Sequence, residues 1–593
     1  MTIKRTWTPS DEQQAIWDAF HPDPDCPDRH LIIRALAGTG KTTTIVEAVK
    51  ETLANAPLFG GPKIGICAFN TAVEKEIEQM VPRGVQVKTT HKLLFRILRE
   101  SFPSYKRWNV DRDKTFNLLD YVAETEMDLH PFRDFKSGLR GLVNSLTSKL
   151  KNRGVKLPDE YEGGPVESYG TMHIESFQEQ LDDLASHHGI DYKSESRRLR
   201  AQTAIANILW YGTDVDWCME NKYGIDYDDM LYLPYAHELE PTFRFDILAV
   251  DESQDLNPIQ IYYLPLLARR IAIVGDEHQA IYGWRGADAY AMRTFQTALE
   301  TTGVITELPL TINRRCPTSI IELAQQLVPD IRPCEDAPIG KIFTIEHHDF
   351  LSEVREGDMV LCRTNAPMIS CVYTMWRQKK RAYIRGRQEF ASSLVNIVKA
   401  ADTNDIIELE KYIADYEQRE LERIAARKLP KSSESLLLDK IECLRYIIAE
   451  SNAKSVKQVF DDLYKLFDDI NDKTAVQFSS FHRAKGLECF RVFIYEPSLV
   501  PHHMATQPWE LDQELNIAYV GVTRVKFDRK DGVCCDPDSE YSGQLYFVGS
   551  PCPAFPNPIS NLITYQPPQP NPESVTVHES DFDCGDLFEA EPF

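Results

Sequence analysis

The chain has 593 residues, a net charge of −24, 42% apolar and 26% charged side chains, a balance that fits a folded protein of about three to five ordinary units. No stretch reaches the roughly 20 apolar residues of a membrane span, and the charges of Met1–Trp7 have no apolar core behind them, so neither a membrane partner nor a secretory leader is expected. The 13 cysteines are scattered without a C-x-x-C pair, and His187-His188, His347-His348 and His502-His503 lack partners at ligand spacing; a reducing, cytoplasmic setting without a structural metal is the expectation.

The first informative run is Leu31–Thr42. Leu31 to Ala35 predicts a buried strand, Gly38 and Gly40 a loop, and Thr42 to Leu53 a helix. Such a loop turns backbone N–H groups inward on phosphate oxygens, at the positive end of the helix. Lys41 would reach the β- and γ-phosphates and the Thr42 hydroxyl would meet Mg²⁺. Ala35 stands where the G-x-x-x-x-G-K-[ST] pattern has its first glycine. A strand at Lys63–Phe69 and a helix at Thr71–Met80 follow, then a charged, mostly helical stretch over 99–224. Phe245–Val250 reads as a buried strand that ends in Asp251-Glu252-Ser253-Gln254-Asp255. The carboxyl end of a parallel strand is where an α/β sheet presents ligands. There Asp251 would hold Mg²⁺ and Glu252 would orient or deprotonate the attacking water. Paired with the Lys41 loop, this predicts an ATPase.

A further strand at Arg270–Asp276 leads to a second α/β stretch near Leu308, with strands at Met359–Cys362 and Arg381–Ile384. A charged helical block over 393–472 interrupts it before strands at Ala475–Phe478 and Leu545–Val548. The expected fold is α/β: two parallel-sheet domains, RecA-like by the resemblance given below, each with a mainly helical insertion. The units are 1–98 with 225–308, insertion 99–224, 309–392 with 473–550, insertion 393–472, and a disordered tail over 551–593. That tail has eight prolines between Pro551 and Pro572 and then acids with no Lys or Arg.

Two such halves imply a nucleotide cleft between them, into which the second half delivers charge. Arg315, after Thr306–Leu310, and Arg524, at the end of Ala518–Arg524, are candidates; ordinary surface ion pairs are the alternative. An arginine that stabilises a transferring phosphoryl group is worth roughly 10³–10⁵ in rate. Two basic stretches, Lys149-Lys151-Arg153-Lys156 and Trp376–Arg387, are candidate DNA-binding segments or solvated helix faces.

The segments together resemble superfamily 1 DNA helicases of the UvrD/Rep/PcrA type, in family order from about residue 8 to 548. Thr8–Ile16 looks like the Q motif and Ala35–Thr42 like motif I; Phe69–Ala72 and Thr89–His91 resemble motifs Ia and Ib. Ile225–Met230 matches a signature ahead of motif II, Val274–Ala287 motif III, Ser480–Glu488 motif V, and Gln513–Lys526 motif VI. The resemblance implies Ala37, Gly38, Thr39, Gly40, Lys41, Thr42 and Thr43 around the phosphates, Gln13 on the adenine edge and Glu488 on the ribose. Gln279 would sense the γ-phosphate, with Arg315 and Arg524 as the clamp. It implies DNA contacts at Phe69, Asn70, Thr90, His91, Tyr282, Trp284, Arg285, Arg363 and His482. Where the family often has a tyrosine that stacks on adenine, this chain has Arg314, whose guanidinium also stacks on a purine.

The implied activity is ATP- and Mg²⁺-driven 3′-to-5′ movement on single-stranded DNA with unwinding of tailed duplex, in replication, repair or recombination. A translocase that strips proteins from DNA is the alternative; an ATP-gated clamp is disfavoured by the intact Lys41, Asp251, Glu252, Gln279 and Arg524. The acidic end, Glu573 to Phe593, is read as a docking tip for a single-strand-binding or replication or repair protein, an internal brake, or an idle solubilising end.

Overall fold

The computed structural model describes residues 8–566 except 23–25, 57–60, 104–107, 126–137, 158–176, 179, 183–194, 282–289, 386–387, 427–430, 452, 467–473, 504, 506, 531–532, 535–538 and 560–561. Its frame is two parallel sheets. The first has β1 (His30–Ala35), β2 (Ile64–Ala68), β3 (Gln86–Thr89), β4 (Phe245–Val250), β5 (Ala268–Gly275) and β6 (Ile305–Leu310), in spatial order β3-β2-β4-β5-β1-β6. Every residue of β2, and nearly every one of β1, β4 and β5, is buried, because helices cover both faces. Ile16, Trp17, Val46 and Val49 pack one face; Leu231, Leu264 and Phe295 pack the other. Strand order reverses beside β1, which opens a crevice at its carboxyl end.

A short parallel pair, β7 (Ile312–Asn313) and β8 (Arg332–Pro333), follows. The second sheet is built from β9 (Lys341–Ile345), β10 (Met359–Cys362), β11 (Ala382–Ile384), β12 (Val476–Ser480) and β13 (Arg491–Tyr495). After a two-stranded ribbon of β14 (Arg529–Lys530) and β15 (Val533–Cys534), β16 (Gln544–Val548) and β17 (Leu562–Thr564) complete it, in order β11-β12-β10-β13-β16-β9-β17. The chain is therefore α/β with two RecA-like parallel sheets. Helices occupy the segment between β3 and β4, and four more, Gln388–Ala400, Ile406–Ala426, Lys431–Ser451 and Val456–Leu466, lie between β11 and β12. Asp439 of the third accepts the Ala366 N–H at 2.9 Å, which fixes that block to the helix Ala366–Arg377 of the second sheet domain.

Two expectations are corrected here. The tail does not leave the fold at residue 551: Cys552, Ala554 and Phe555 are buried, and β17 pairs in parallel with β9, Leu562 opposite Ile342. Residues 567–593, with the acidic end, lie outside the described residues. Nor is every cation of the basic stretches open, although Arg153, Arg377, Lys379 and Arg381 are exposed. Lys151 is 2% exposed and is held by Asp226 at 2.9 Å and Asp229 at 2.7 Å, beside a fully buried Lys114–Asp229 pair. Burial and the neighbouring Arg153 hold Lys149 down at about 8. In the second stretch, Trp376 donates to the Ala382 carbonyl, Lys380 to those of Leu351 and Val354, and Arg381 pairs with Glu356.

The Lys114–Lys151–Asp226–Asp229 cluster ties the helices Lys114–Thr125 and Gly138–Arg153 to the segment that enters the helix Asp229–Ala236. Removing one partner of a buried ion pair strands the other, at about 3–5 kcal/mol. Lys151→Ala is expected to lower the urea midpoint by that equivalent. An unchanged midpoint would show that these charges are not dry.

Candidate functional site

The crevice beyond β1 is built by local backbone chemistry. Gly38 and Gly40 adopt φ of +66° and +82°, the left-handed region that suits glycine, and Gly40 caps the helix Lys41–Ala54. A Cβ on Gly38 would lie 2.5 Å from Asn313 Nδ2 and 2.8 Å from Arg315 Cβ, so bare backbone is what lets the segment after β6 close over the loop. Thr42 Oγ1 donates to Asp251 Oδ2 at 2.8 Å, and Lys41 Nζ sits 3.4 Å from Glu252 Oε2. Thr42 and Asp251 thus converge hard oxygen donors next to a phosphate cradle, a set that fits Mg²⁺, which keeps waters and phosphate oxygens as its remaining ligands.

Glu252 has φ +51°, a left-handed backbone that costs a side-chain-bearing residue about 1–3 kcal/mol. It is held there from both ends: its N–H donates to Asp251 Oδ1 at 2.9 Å and the Gln254 amide donates to its carboxylate. Gln254 Oε1 in turn accepts the Asp276 N–H at 3.0 Å. Burial, and next the Glu252 charge, push Asp251 up to about 6. Burial acts the same way on Glu252, but the charges of Lys41 and Lys485 outweigh it and hold that carboxyl at about 2. One acid of the pair is therefore an ionised base candidate, and the other gains most from a cation.

The second sheet faces this apparatus across a cleft of about 870 Å³, lined by Gly38–Thr43, Phe69, Asn70, Asp251, Glu252 and Gln279 on one side and Arg315, His482, Glu488 and Arg524 on the other. Arg315 Nε donates to Glu488 Oε2 at 2.9 Å, and Glu488 also pairs with Lys526. Arg524 is 1% exposed; it donates to the carbonyls of Val520 and Leu487 and to the Thr523 hydroxyl, and makes no ion pair among the described residues. Burial, then the charge of Arg315, lower it to about 9. An anion would relieve both.

Other sequence-designated residues lie at varied depths. Gln13 is buried: its Nε2 donates to Thr44 Oγ1, and its Oε1 accepts from the Ser10 N–H and from Arg314 Nη2 at 3.2 Å, so the two residues expected around adenine touch. Gln279 Nε2 donates to Asp276 Oδ2 at 2.7 Å. Asn70 caps the helix Thr71–Met80, while Phe69 is 42% exposed. Thr90 is buried with its hydroxyl 2.9 Å from Cys67 Sγ and lines a cavity with Phe69, Asn70 and His91; burial also lowers the pKa of His91. Arg363 is held by Glu514 at 2.7 Å. Tyr282, Trp284 and Arg285 lie outside the described residues.

Three residues outside the cleft lining, which brace its walls, had no role in the sequence reading. The Ala37 N–H donates to Tyr519 OH at 3.0 Å, the Ala37 carbonyl accepts from Asn313 Nδ2 at 2.6 Å, and Asn516 Nδ2 donates to the carbonyls of Glu277 and Ala280. The membership of Tyr519 and Asn516 in the motif VI segment was the signal that could have found them. Tyr519→Phe removes the Ala37 bond, worth about 0.5–1.5 kcal/mol, along with a long 3.5 Å donation to Asp276, so kcat/KM for ATP is expected to fall at least roughly 2- to 12-fold with the fold unchanged. An unaltered kcat/KM would show that this bridge does not shape the loop.

Residues 19–300 match the family model for the UvrD/REP helicase N-terminal domain. Among curated proteins, the chain is 25% identical over 326 residues to a probable DNA helicase II homolog of Mycoplasma pneumoniae, covering 52% of this chain and 41% of that protein. It is 24% identical to the ATP-dependent DNA helicase PcrA of Leuconostoc citreum, over 45% of this chain and 33% of the relative. It is 26% identical to the F-box DNA helicase protein 1 of Schizosaccharomyces pombe, over 45% and 27%. The match thus spans less than half the length of each of these relatives. Residues 19–300 are thus similar to the UvrD/REP helicase N-terminal domain, and the paired parallel sheets agree with that likeness.

Proposed function

We propose that the chain is an ATP-dependent DNA helicase: a DNA-stimulated ATPase that moves 3′ to 5′ on single-stranded DNA and unwinds tailed duplex. The observation that carries this reading is one cleft in which Lys41, Thr42, Asp251 and Glu252 of the first sheet face Arg315 and Arg524 of the second. The helicase names of the relatives from Mycoplasma pneumoniae and Leuconostoc citreum support it.

In this reading the loop amides and Lys41 bind the phosphates, Gln13 and Arg314 hold the base, and Glu488 exchanges Arg315 for the ribose. Thr42 and Asp251 would hold Mg²⁺, which neutralises phosphate charge when bound. Glu252, ionised and fixed by Gln254, orients the attacking water and takes its proton. Arg315 and Arg524 neutralise charge as it builds on the transferring group. The reading assigns DNA contacts to Phe69, Asn70 and His482 and, by the resemblance alone, to Tyr282, Trp284 and Arg285. Stacking is worth about 1–3 kcal/mol per base against about 1.4 kcal/mol for a DNA base-pair step, enough to trap an opened base but not to give direction. Direction comes from closing the cleft on ATP.

Strand displacement with 3′-tailed, 5′-tailed and blunt duplexes tests the reading. Preference for the 3′ tail is expected; displacement from the 5′ tail reverses the polarity, and none from any substrate, with DNA-stimulated ATPase retained, turns the reading to a protein-stripping translocase. The reading sets this activity in the cytoplasm, and ten described cysteines are free thiols. Among the described residues no helix is long and apolar enough to cross a membrane. The acidic end is assigned to docking a single-strand-binding or repair protein. Deletion after Gln566 spares β17 and is expected to abolish that capture; tighter DNA binding at low salt instead would mark the end as a brake.

A further inference from the structure

Lys485 follows the helix Phe481–Ala484, in a turn closed by the Leu487 N–H on the Ala484 carbonyl at 2.9 Å and by Gly486 at φ +84°. The turn sends it out of the second sheet domain and into the first. Its ammonium pairs with Asp255 Oδ2 and donates to the Gln279 carbonyl at 2.8 Å; the two side chains of the pair are 8% and 1% exposed. Its Nζ also lies 6.0 Å from the centre of the Phe69 ring. Asp255 ends the acidic segment that begins at Asp251, and its Oδ1 is buried without a hydrogen-bond partner. It lines a second cavity of about 330 Å³, shared with Phe69, Asn70, His91 and Glu252.

These contacts meet at a single ammonium. We propose that Lys485 is a positioning residue that couples DNA at the Phe69 face to hydrolysis, by clamping Asp255 and the Gln279 carbonyl in one geometry across the cleft. The inference rests on the DNA-motor reading above. With the clamp closed, the acidic segment, Gln279 and the Phe69 face move with the second sheet as one body. Opening the cleft pulls the ammonium off a dry carboxylate, so the clamp has two discrete states, and a base settling against Phe69 favours the closed one. Lys485 touches neither reacting atom nor metal in this scheme; it acts through Asp255 and Gln279.

The test is the ratio of the kcat for ATP hydrolysis at saturating oligo-dT to the kcat without DNA. Lys485→Ala is expected to lower that ratio at least tenfold, Asp255→Asn to lower it comparably, and the double variant to be no worse than either alone, because the two remove one interaction. Lys485→Arg, which keeps the cation, is expected to restore most of the ratio. Lys485→Met serves the same comparison if the alanine variant fails to fold. A ratio within twofold of the unsubstituted protein, losses that multiply in the double variant, or no rescue by arginine would each overturn the clamp. If the unsubstituted protein shows no stimulation by DNA, the motor reading itself fails; stimulation that survives Lys485→Ala overturns only the clamp.

Discussion

Lys41→Ala is expected to abolish DNA-stimulated ATP hydrolysis, with a loss of at least about 10²–10³-fold, as for removal of one preorganised charge donor at a reacting centre. Lys41 sits at the junction of the phosphate loop and the helix Lys41–Ala54, with its ammonium toward Glu252 and no part in the apolar clusters beneath. Its removal leaves the Lys485 charge beside Glu252, so the acid pair keeps a counter-cation and the fold survives. Phosphate release with saturating single-stranded DNA, alongside a thermal melt, separates the two effects. Turnover equal to that of the unsubstituted protein would remove the nucleotide assignment altogether.

Arg524→Ala is expected to keep ATP affinity within a few-fold and lose about 10³–10⁵ in kcat, or about 4–7 kcal/mol of barrier. The surroundings of Arg524 explain the asymmetry. Arg524 spends its donors on two carbonyls and a hydroxyl, with no carboxylate in its hydrogen bonds, while Arg315 repels it. It therefore meets the phosphates with an under-compensated charge, which counts most where negative charge is greatest, in the transition state. Nucleotide binding measured by fluorescence, together with single-turnover hydrolysis, decides the matter. If affinity collapses and the maximal rate survives, Arg524 is a ground-state ligand.

Elements specified by their own few residues were legible in the sequence. The strands Phe245–Val250 and Met359–Cys362 and the helix Thr71–Met80 run as read, because an apolar run or an Asn70 cap followed by a helical face is local information. β17 was missed: three residues between prolines fall short of any strand pattern, and their pairing depends on an edge more than two hundred residues earlier. Lys151 was misread for a related reason. A lysine on a charged helix looks solvated until Asp226 and Asp229 arrive from another part of the chain. The same split runs through the candidate site. The phosphate loop and the Asp251-Glu252 pair are adjacent residues and visible as patterns, whereas the Ala37–Tyr519 and Lys485–Asp255 contacts join residues far apart in sequence, and no local spacing announces them.

The order of strands along the chain has a consequence for synthesis. The first sheet draws on residues 30–310 and is complete before any strand of the second has been made. In the second, β9 is among the first strands to emerge, yet both its neighbours, β16 and β17, come from beyond residue 543. At roughly 5–20 residues per second, a gap of about 200 residues leaves β9 with two bare edges for some 10–40 s on the ribosome. An unpaired apolar edge of that lifetime is a template for wrong pairing with other chains. Shielding of the nascent second half is thus expected to raise the yield of native protein more than shielding of the first, whose sheet is closed by residue 310.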